Sequence, residues 1–171
     1  MHIFPSAEIT GFADEELFVA ATQNHPNRTS YPHVRTPHIP ALKDLLLSLQ
    51  QSGCIPTTPL NRIHSVLESF PLFPGVNSNL QQWHTDQELY PGEQVYTIAD
   101  ARPLQWVEGS SPDLVDPHET IVSLLERDLT VVSAGRLAVV RVHPDLVHRR
   151  PPNEGTEPVP RNHALFVIGN Y

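Results

Sequence analysis

The chain of 171 residues is one domain's worth and is long enough to bury a core without disulfide or metal staples. Its 18 prolines, roughly twice the usual share of about 5%, argue against an all-helical bundle, because proline breaks helix interiors and central strands. Eleven basic residues against 19 acidic ones, a net charge of -8 and the lack of any basic stripe exclude nucleic acid as a main partner.

The first 75 residues hold the helical signals. Asp14 to Thr22 carries acids early and apolar Leu17, Phe18 and Ala21 on one side. Pro40 to Gln51 reads more clearly as a helix: Pro40 suits a first turn, Leu42, Leu45, Leu46 and Leu49 recur at helical spacing, and Gly53 follows the end. Residues 23–40, with several prolines and His25, His33 and His38, read as an extended, irregular segment. Residues 60–70 fit helix or strand, and periodicity does not decide between them.

From about residue 79 the pattern changes to short β-like runs. These are Asn79 to His84, Gln94 to Ala99, Leu104 to Glu108, Thr130 to Ser133, Arg136 to Val142 and His163 to Gly169. Turn residues part them, among them Pro91 and Gly92, Gly109 to Pro112, and Ala134 and Gly135. One helix interrupts, Glu119 to Arg127, with Asp116 or His118 near its start. The expected fold class is mainly β with flanking helices. It is a single domain over residues 1–171, with helical and irregular support at 1–75 and a sandwich or barrel core at 79–171.

No apolar run reaches the length of a membrane span, the N-terminus lacks a signal peptide's basic and apolar regions, and the single Cys54 excludes a disulfide framework. A soluble, cytoplasmic protein is the expectation. Cys54 carries no protease signature, and no nucleophile elbow, P-loop or dinucleotide fingerprint occurs.

The chemistry centres on Trp83-His84-Thr85-Asp86. In extended chain, residues i and i+2 point to the same side, so the imidazole of His84 and the carboxylate of Asp86 converge. His148, where a strand-like run meets a loop, supplies a third ligand, and His143, in a His-Pro turn, is its weaker competitor. Two histidines and one carboxylate form the facial arrangement that suits non-haem Fe(II) and leaves positions open. Arg161 opens the last predicted strand and shares a face with His163, Leu165 and Val167. Inside a mostly apolar barrel, such a guanidinium needs an anionic partner, best met by a carboxylate. The hydroxyls of Tyr96 and Thr97, the loop residue Asn153, Gln82 and Arg102 are further candidates around this pocket. Arg28, Tyr31, Arg35, Tyr90, Arg149 and Arg150 are candidates to bind a carboxylate or phosphate of unknown placement.

The H-x-D…H…R pattern resembles the Fe(II)/2-oxoglutarate-dependent dioxygenase superfamily. The resemblance covers about residues 79–171 and is strongest in QQWHTDQELYPG and from Gly135 to Tyr171. The WHTD stretch resembles the phytanoyl-CoA hydroxylase branch. The resemblance implies a double-stranded β-helix (jelly-roll, cupin-like) core, with His84, Asp86 and His148 as iron ligands. It implies Arg161 as the partner of the distal carboxylate of the cosubstrate 2-oxoglutarate, O2 as the oxidant and ascorbate as an accessory reductant. It also implies decarboxylation of 2-oxoglutarate to succinate and CO2, coupled to hydroxylation of the substrate. Related halogenases have a small residue in place of the carboxylate, so Asp86 favours plain oxidation. A small-molecule or amino-acid-like substrate suits the acidic balance. So short a chain leaves room for a homodimer partner or a carrier-bound substrate to close the site. Two other classes keep the same scaffold. A cupin-like isomerase or binding module would hold the metal without using Arg161, and a jelly-roll interaction protein would hold no metal.

Overall fold

The computed structural model describes residues 6–23, 34–35, 39–86, 93–108 and 115–169. Its strands are β1 (Ala7–Phe12), β2 (Val34–Arg35), β3 (Ile63–Leu72), β4 (Gln94–Ala99), β5 (Gln105–Val107), β6 (Val131–Ser133), β7 (Ala138–Val142), β8 (His148–Arg149) and β9 (Val159–Ile168). Its helices are α1 (Glu15–Gln23), α2 (Pro40–Gln51) and α3 (Ile121–Glu126). Six strands form one antiparallel sheet in the order β1-β7-β4-β9-β3-β2, and three short strands form a second in the order β6-β5-β8. The architecture is the expected one: mainly β, a cupin-like jelly-roll sandwich with helices packed outside.

Alternation along the strands sorts the large sheet's faces. On the outer face Ile63, Leu67, Tyr96, Ile98, Val139, Ala164, Phe166 and Ile168 pack against Phe18 and Ala21 of α1 and Leu42, Leu45, Leu46 and Leu49 of α2. The four leucines of α2 are at most 1% exposed, each worth about 2 kcal/mol of burial. On the inner face, Ala138, Val140 and Val142 meet Leu104, Trp106 and Leu146 from the direction of the small sheet. A third cluster, Trp83, Val107, Val115, Leu124 and Val147, seats α3.

The expected division near residue 75 does not follow the sheet. β1, β2 and β3 all come from the first 75 residues and lie in the same sheet as β7, β4 and β9. β3 runs in register with all of β9, from Ile63 opposite Ile168 to Leu72 opposite Val159, so residues 63–70 are strand. β1 is bulged between Ile9 and Gly11 where it follows β7. A Cβ on Gly11 would lie 2.5 Å from the Cys54 sulfur, so only glycine fits where this edge strand crosses the exit of α2. β9 also starts earlier than expected, which sets Arg161 inside the strand rather than at its opening.

The expected strand from Asn79 to His84 is instead a single 3-10 turn, Asn79–Gln81, followed by extended chain. Ser78 is the reason: its hydroxyl accepts from Leu80 N at 3.1 Å, and Gln81 closes a reciprocal capping box. Ser78→Ala should cost about 1 kcal/mol in urea unfolding, because the orphaned donors of this turn lose their acceptor. α3 begins at Thr120, whose hydroxyl accepts from Ser123 N at 3.1 Å, rather than at Asp116 or His118. The turns at Pro91 and Gly92 and at Gly109 to Pro112, together with His25, Arg28, Tyr31, His33, His38 and Tyr90, lie outside the described residues. Among the described residues no helix is long and apolar enough to cross a membrane.

Candidate metal centre and carboxylate pocket

The segment after the 3-10 turn is tied to β8 by an exchanged pair of backbone bonds. His84 N donates to His148 O at 3.0 Å, and His148 N donates to His84 O at 2.9 Å. Direct pairing puts the two imidazoles side by side, with centroids 4.5 Å apart. Alternation sends the neighbours the other way. Trp83 is buried outside under α3, its indole N–H donating to Glu119 O at 2.9 Å. Arg149 stacks over the Trp83 ring at 4.5 Å and donates through Nε to Gln105 Oε1. Asp86 is held by its own N–H, which donates to Pro144 O at 3.1 Å.

His84, Asp86 and His148 offer one ligand atom each, all within 4.8 Å of one another. The Nδ1–H of His84 donates to Gln82 O at 2.7 Å, and that of His148 donates to Leu146 O at 2.8 Å. Each ring therefore turns Nε2 towards Asp86, at 3.6 Å from Oδ1 for His84 and 3.0 Å from Oδ2 for His148. A neutral imidazole has one N–H, and here the backbone carbonyl takes it. Nε2 then brings a lone pair to face a carboxylate, a contact that needs a cation between or a proton on the ring. Burial and the neighbouring His148 push the His84 pKa down, which disfavours the proton. Burial opposes the charge on Asp86, but its neighbours His148, His84 and Arg150 outweigh it and hold the carboxyl below its usual range. Two Nε2 lone pairs and an anionic oxygen with fixed tautomers fit a divalent metal.

The triad opens on a cavity of about 170 Å³ between the sheets. Val66, Leu80, Val95, Leu104, Val142 and Leu165 give it apolar walls, and Thr97, Arg150, Arg161 and His163 give it polar groups. Arg161 is 7% exposed, and its Nε donates to Ala101 O at 2.9 Å. Burial and the adjacent Arg150 push its pKa down to about 10, which still leaves it cationic at neutral pH. Among the described residues no carboxylate lies within ion-pair distance of this guanidinium.

Behind it lies a chain of groups joined by Glu68, the one member absent from the expected site. Glu68 of β3 sits opposite His163 of β9. Its Oε2 is 3.0 Å from Arg150 Nη1 and 3.4 Å from His163 Nδ1, and His163 Nε2 lies 2.8 Å from the Thr97 hydroxyl. Burial opposes the charge on Glu68, but His163, Arg150 and Arg161 outweigh it and hold the carboxyl well below its usual range. Burial and the two guanidiniums hold His163 neutral, well below the ordinary 6.5. Both groups are depressed, so the unfolded chain takes up protons that the folded chain refuses. Their stabilisation is complete above pH 6.5 and is lost as the pH falls through the window below it. The unfolding free energy from urea titrations should drop between pH 7 and 4 by on the order of 1–3 kcal/mol. In His163→Gln the decline should be displaced to the carboxylate range near pH 4.5.

Of the expected site residues, the structure brings His84, Asp86, His148, Thr97 and Arg161 to one cavity. It leaves His143 in an exposed turn beside Asp145. Tyr96 is on the opposite face of β4, among the residues packed on the helices, and its hydroxyl donates to Gln94 Oε1. Asn153 is consumed by backbone groups: Nδ2 donates to Leu72 O at the end of β3 and to Glu157 O, and Oδ1 accepts from Gly155 N. Neither lines the cavity, so the expectation that they touch the cosubstrate does not fit their placement. Gln82 pairs with His118 rather than facing inward and contributes its carbonyl to His84. Arg102 sits at a left-handed turn position, φ 47°, between β4 and β5. Arg35 is in β2, at the edge of the large sheet. Cys54 is buried against Gly11.

No protein-family model matches the chain, and no curated protein matches it. Among solved structures, AviO1 from Streptomyces viridochromogenes is 22% identical, with a TM-score of 0.36 over 78% of this chain and 59% of that one. EvdO2 from Micromonospora carbonacea, complexed with 2-oxoglutarate, is 14% identical, with a TM-score of 0.41 over 81% and 67%. HygX from Streptomyces hygroscopicus is 13% identical, with a TM-score of 0.47 over 98% and 83%. The chain thus spans less than two thirds of the length of AviO1. These superpositions are loose, and it is the chemistry of the cavity that bears on function.

Proposed function

We propose that this cavity is the active site of a non-haem Fe(II)- and 2-oxoglutarate-dependent oxygenase. It would hydroxylate a small-molecule or amino-acid-like substrate and release succinate and CO2. The observation that carries this reading is Arg161: a buried guanidinium, unpaired by any carboxylate among the described residues, facing the same small cavity as a His-Asp-His cluster. A metal site alone has no need of such a cation, whereas a dicarboxylate chelating at the triad presents its far carboxylate to it.

His84 and His148 would hold the metal through Nε2 and Asp86 through its carboxylate, and these three leave positions open for cosubstrate and dioxygen. Bound Fe(II) would supply the dioxygen chemistry that couples decarboxylation of 2-oxoglutarate to oxidation of the substrate. The chain's own part is to position and to exclude water. Gln82 O and Leu146 O fix the ring tautomers, Arg161 orients the distal carboxylate, and the apolar wall keeps the site dry. The Thr97 hydroxyl, bonded to His163 Nε2, lines the same cavity. The carboxylate of Asp86 favours hydroxylation over halogenation, and the Trp83 to Asp86 stretch adds the likeness to the phytanoyl-CoA hydroxylase branch. The net charge of -8 favours a small molecule over nucleic acid.

The test is an anaerobic titration of the protein with Fe(II) and then 2-oxoglutarate, read as a visible metal-to-ligand charge-transfer band. The expected result is a saturable band and, on admitting air with substrate, succinate. Metal uptake without a band points to the cupin-like isomerase or binding module, and no metal uptake points to an interaction scaffold.

A further inference from the structure

Two guanidiniums open on the cavity, and only Arg161 has a role in the reading above. Arg150 stands two residues beyond His148 and shares its side of the chain, while Arg149 between them turns outward to Trp83. Its backbone is pinned, because Arg150 N donates to Leu80 O at 2.9 Å. Its side chain is pinned as well: Nη1 donates to Glu68 Oε2 at 3.0 Å, a carboxylate whose side chain is 7% exposed. A guanidinium has five N–H donors in a rigid fork, and Glu68 takes one face of it. Among the described residues the remaining donors of Arg150 have no partner.

Arg150 lines the same cavity as the triad and Arg161, with its backbone two residues from His148 and its guanidinium on Glu68, which pairs across the strands with His163. Burying a carboxylate is costly without a purpose, and a buried ion pair adds little to stability. Glu68 does fix the direction of a long, otherwise mobile side chain inside the cavity.

We propose that Arg150, held in place by Glu68, is a second anion-binding residue that recognises the carboxylate beside the keto group of a bound 2-oxo acid, at the triad end, while Arg161 takes the far carboxylate. Glu68 is the positioning residue. The inference rests on the reading of the cavity as a 2-oxo-acid site and assigns each end of that acid its own arginine.

Calorimetric titration of the full chain loaded with Zn(II) tests this with no turnover. The two probes are 2-oxoglutarate and 2-oxobutyrate, which keeps the 2-oxo carboxylate and lacks the second one. Arg150→Gln should weaken both acids in parallel, by about tenfold or more. Arg161→Gln should weaken 2-oxoglutarate and leave 2-oxobutyrate where it was. Because Arg150→Gln strands Glu68, the double variant Glu68→Gln/Arg150→Met removes the pair as a unit and should show the same parallel loss. Unchanged binding of both acids by the folded variants overturns the inference, as does a loss confined to 2-oxoglutarate. If the wild-type protein binds Zn(II) but neither acid, the functional reading itself has failed, and the inference with it.

Discussion

Alanine at His84, Asp86 or His148 should each abolish stoichiometric binding of a divalent metal, with affinity lowered more than about 100-fold. The size of the effect follows from the geometry. The three ligand atoms sit within 4.8 Å of one another, on backbone that is cross-linked by the exchanged His84–His148 bonds. Among the described residues no further His, Cys, Asp or Glu belongs to the cluster. Co(II) absorption and the thermal midpoint give independent readouts. Metal at about 100 times its dissociation constant stabilises the folded state by about 2.7 kcal/mol, so the wild-type midpoint should rise with Co(II) and the variants' midpoints should not. His143→Ala is the control, because that ring lies in an exposed turn. A His148→Ala protein that still gains stability from Co(II) would sink the metal assignment.

Arg161→Gln should leave metal binding intact and lower 2-oxoglutarate affinity about 100-fold, read from the titration of the charge-transfer band. The guanidinium is nearly buried, and a carboxylate meeting it gives up little hydration that the fork does not return. Arg161→Lys should recover only part of the loss, because a point charge cannot make two parallel bonds. Succinate, which lacks the keto group, should bind the wild type more weakly than 2-oxoglutarate but lose affinity in the same variant. Equal 2-oxoglutarate affinity in wild type and Arg161→Gln would remove the reason for reading the cavity as a dicarboxylate site. It would leave a metal centre of another class.

The residues of the site were unequally visible in the primary structure. His84 and Asp86 could be paired by eye, since i and i+2 share a side in extended chain and no tertiary knowledge is required. The same alternation puts Arg161 and His163 on one face, and both line the cavity. Tyr96 shows the limit of that method: neighbours on a strand take opposite faces, so Tyr96 and Thr97 could not both face inward, and only Thr97 does. Glu68 escaped notice because residues 60–70 read equally as helix or strand. Once β3 is placed beside β9, an acid buried on that strand must have cationic partners. Asn153 follows two prolines in a loop, and backbone groups of that loop and of the end of β3 use its polar atoms.

Local geometry accounts for the parts of the molecule that short stretches of chain could reveal. α2 follows from four leucines at helical spacing after a proline, β4 and β9 from apolar runs between turns, and the convergence of His84 with Asp86 from the pleat of a strand. Register between distant segments is a different kind of information. Whether His148 or His143 meets His84, whether β1 and β3 join the same sheet as β7 and β9, and whether Glu68 ends up against Arg150 depend on how the two sheets and the outer helices pack together. Backbone dihedrals and side-chain period act over a few residues, so the chain displays them directly. Pairing across more than half its length is chosen by the burial of Phe166, Leu45 and their neighbours in one shared core, and only the folded structure shows which pairing that burial selects.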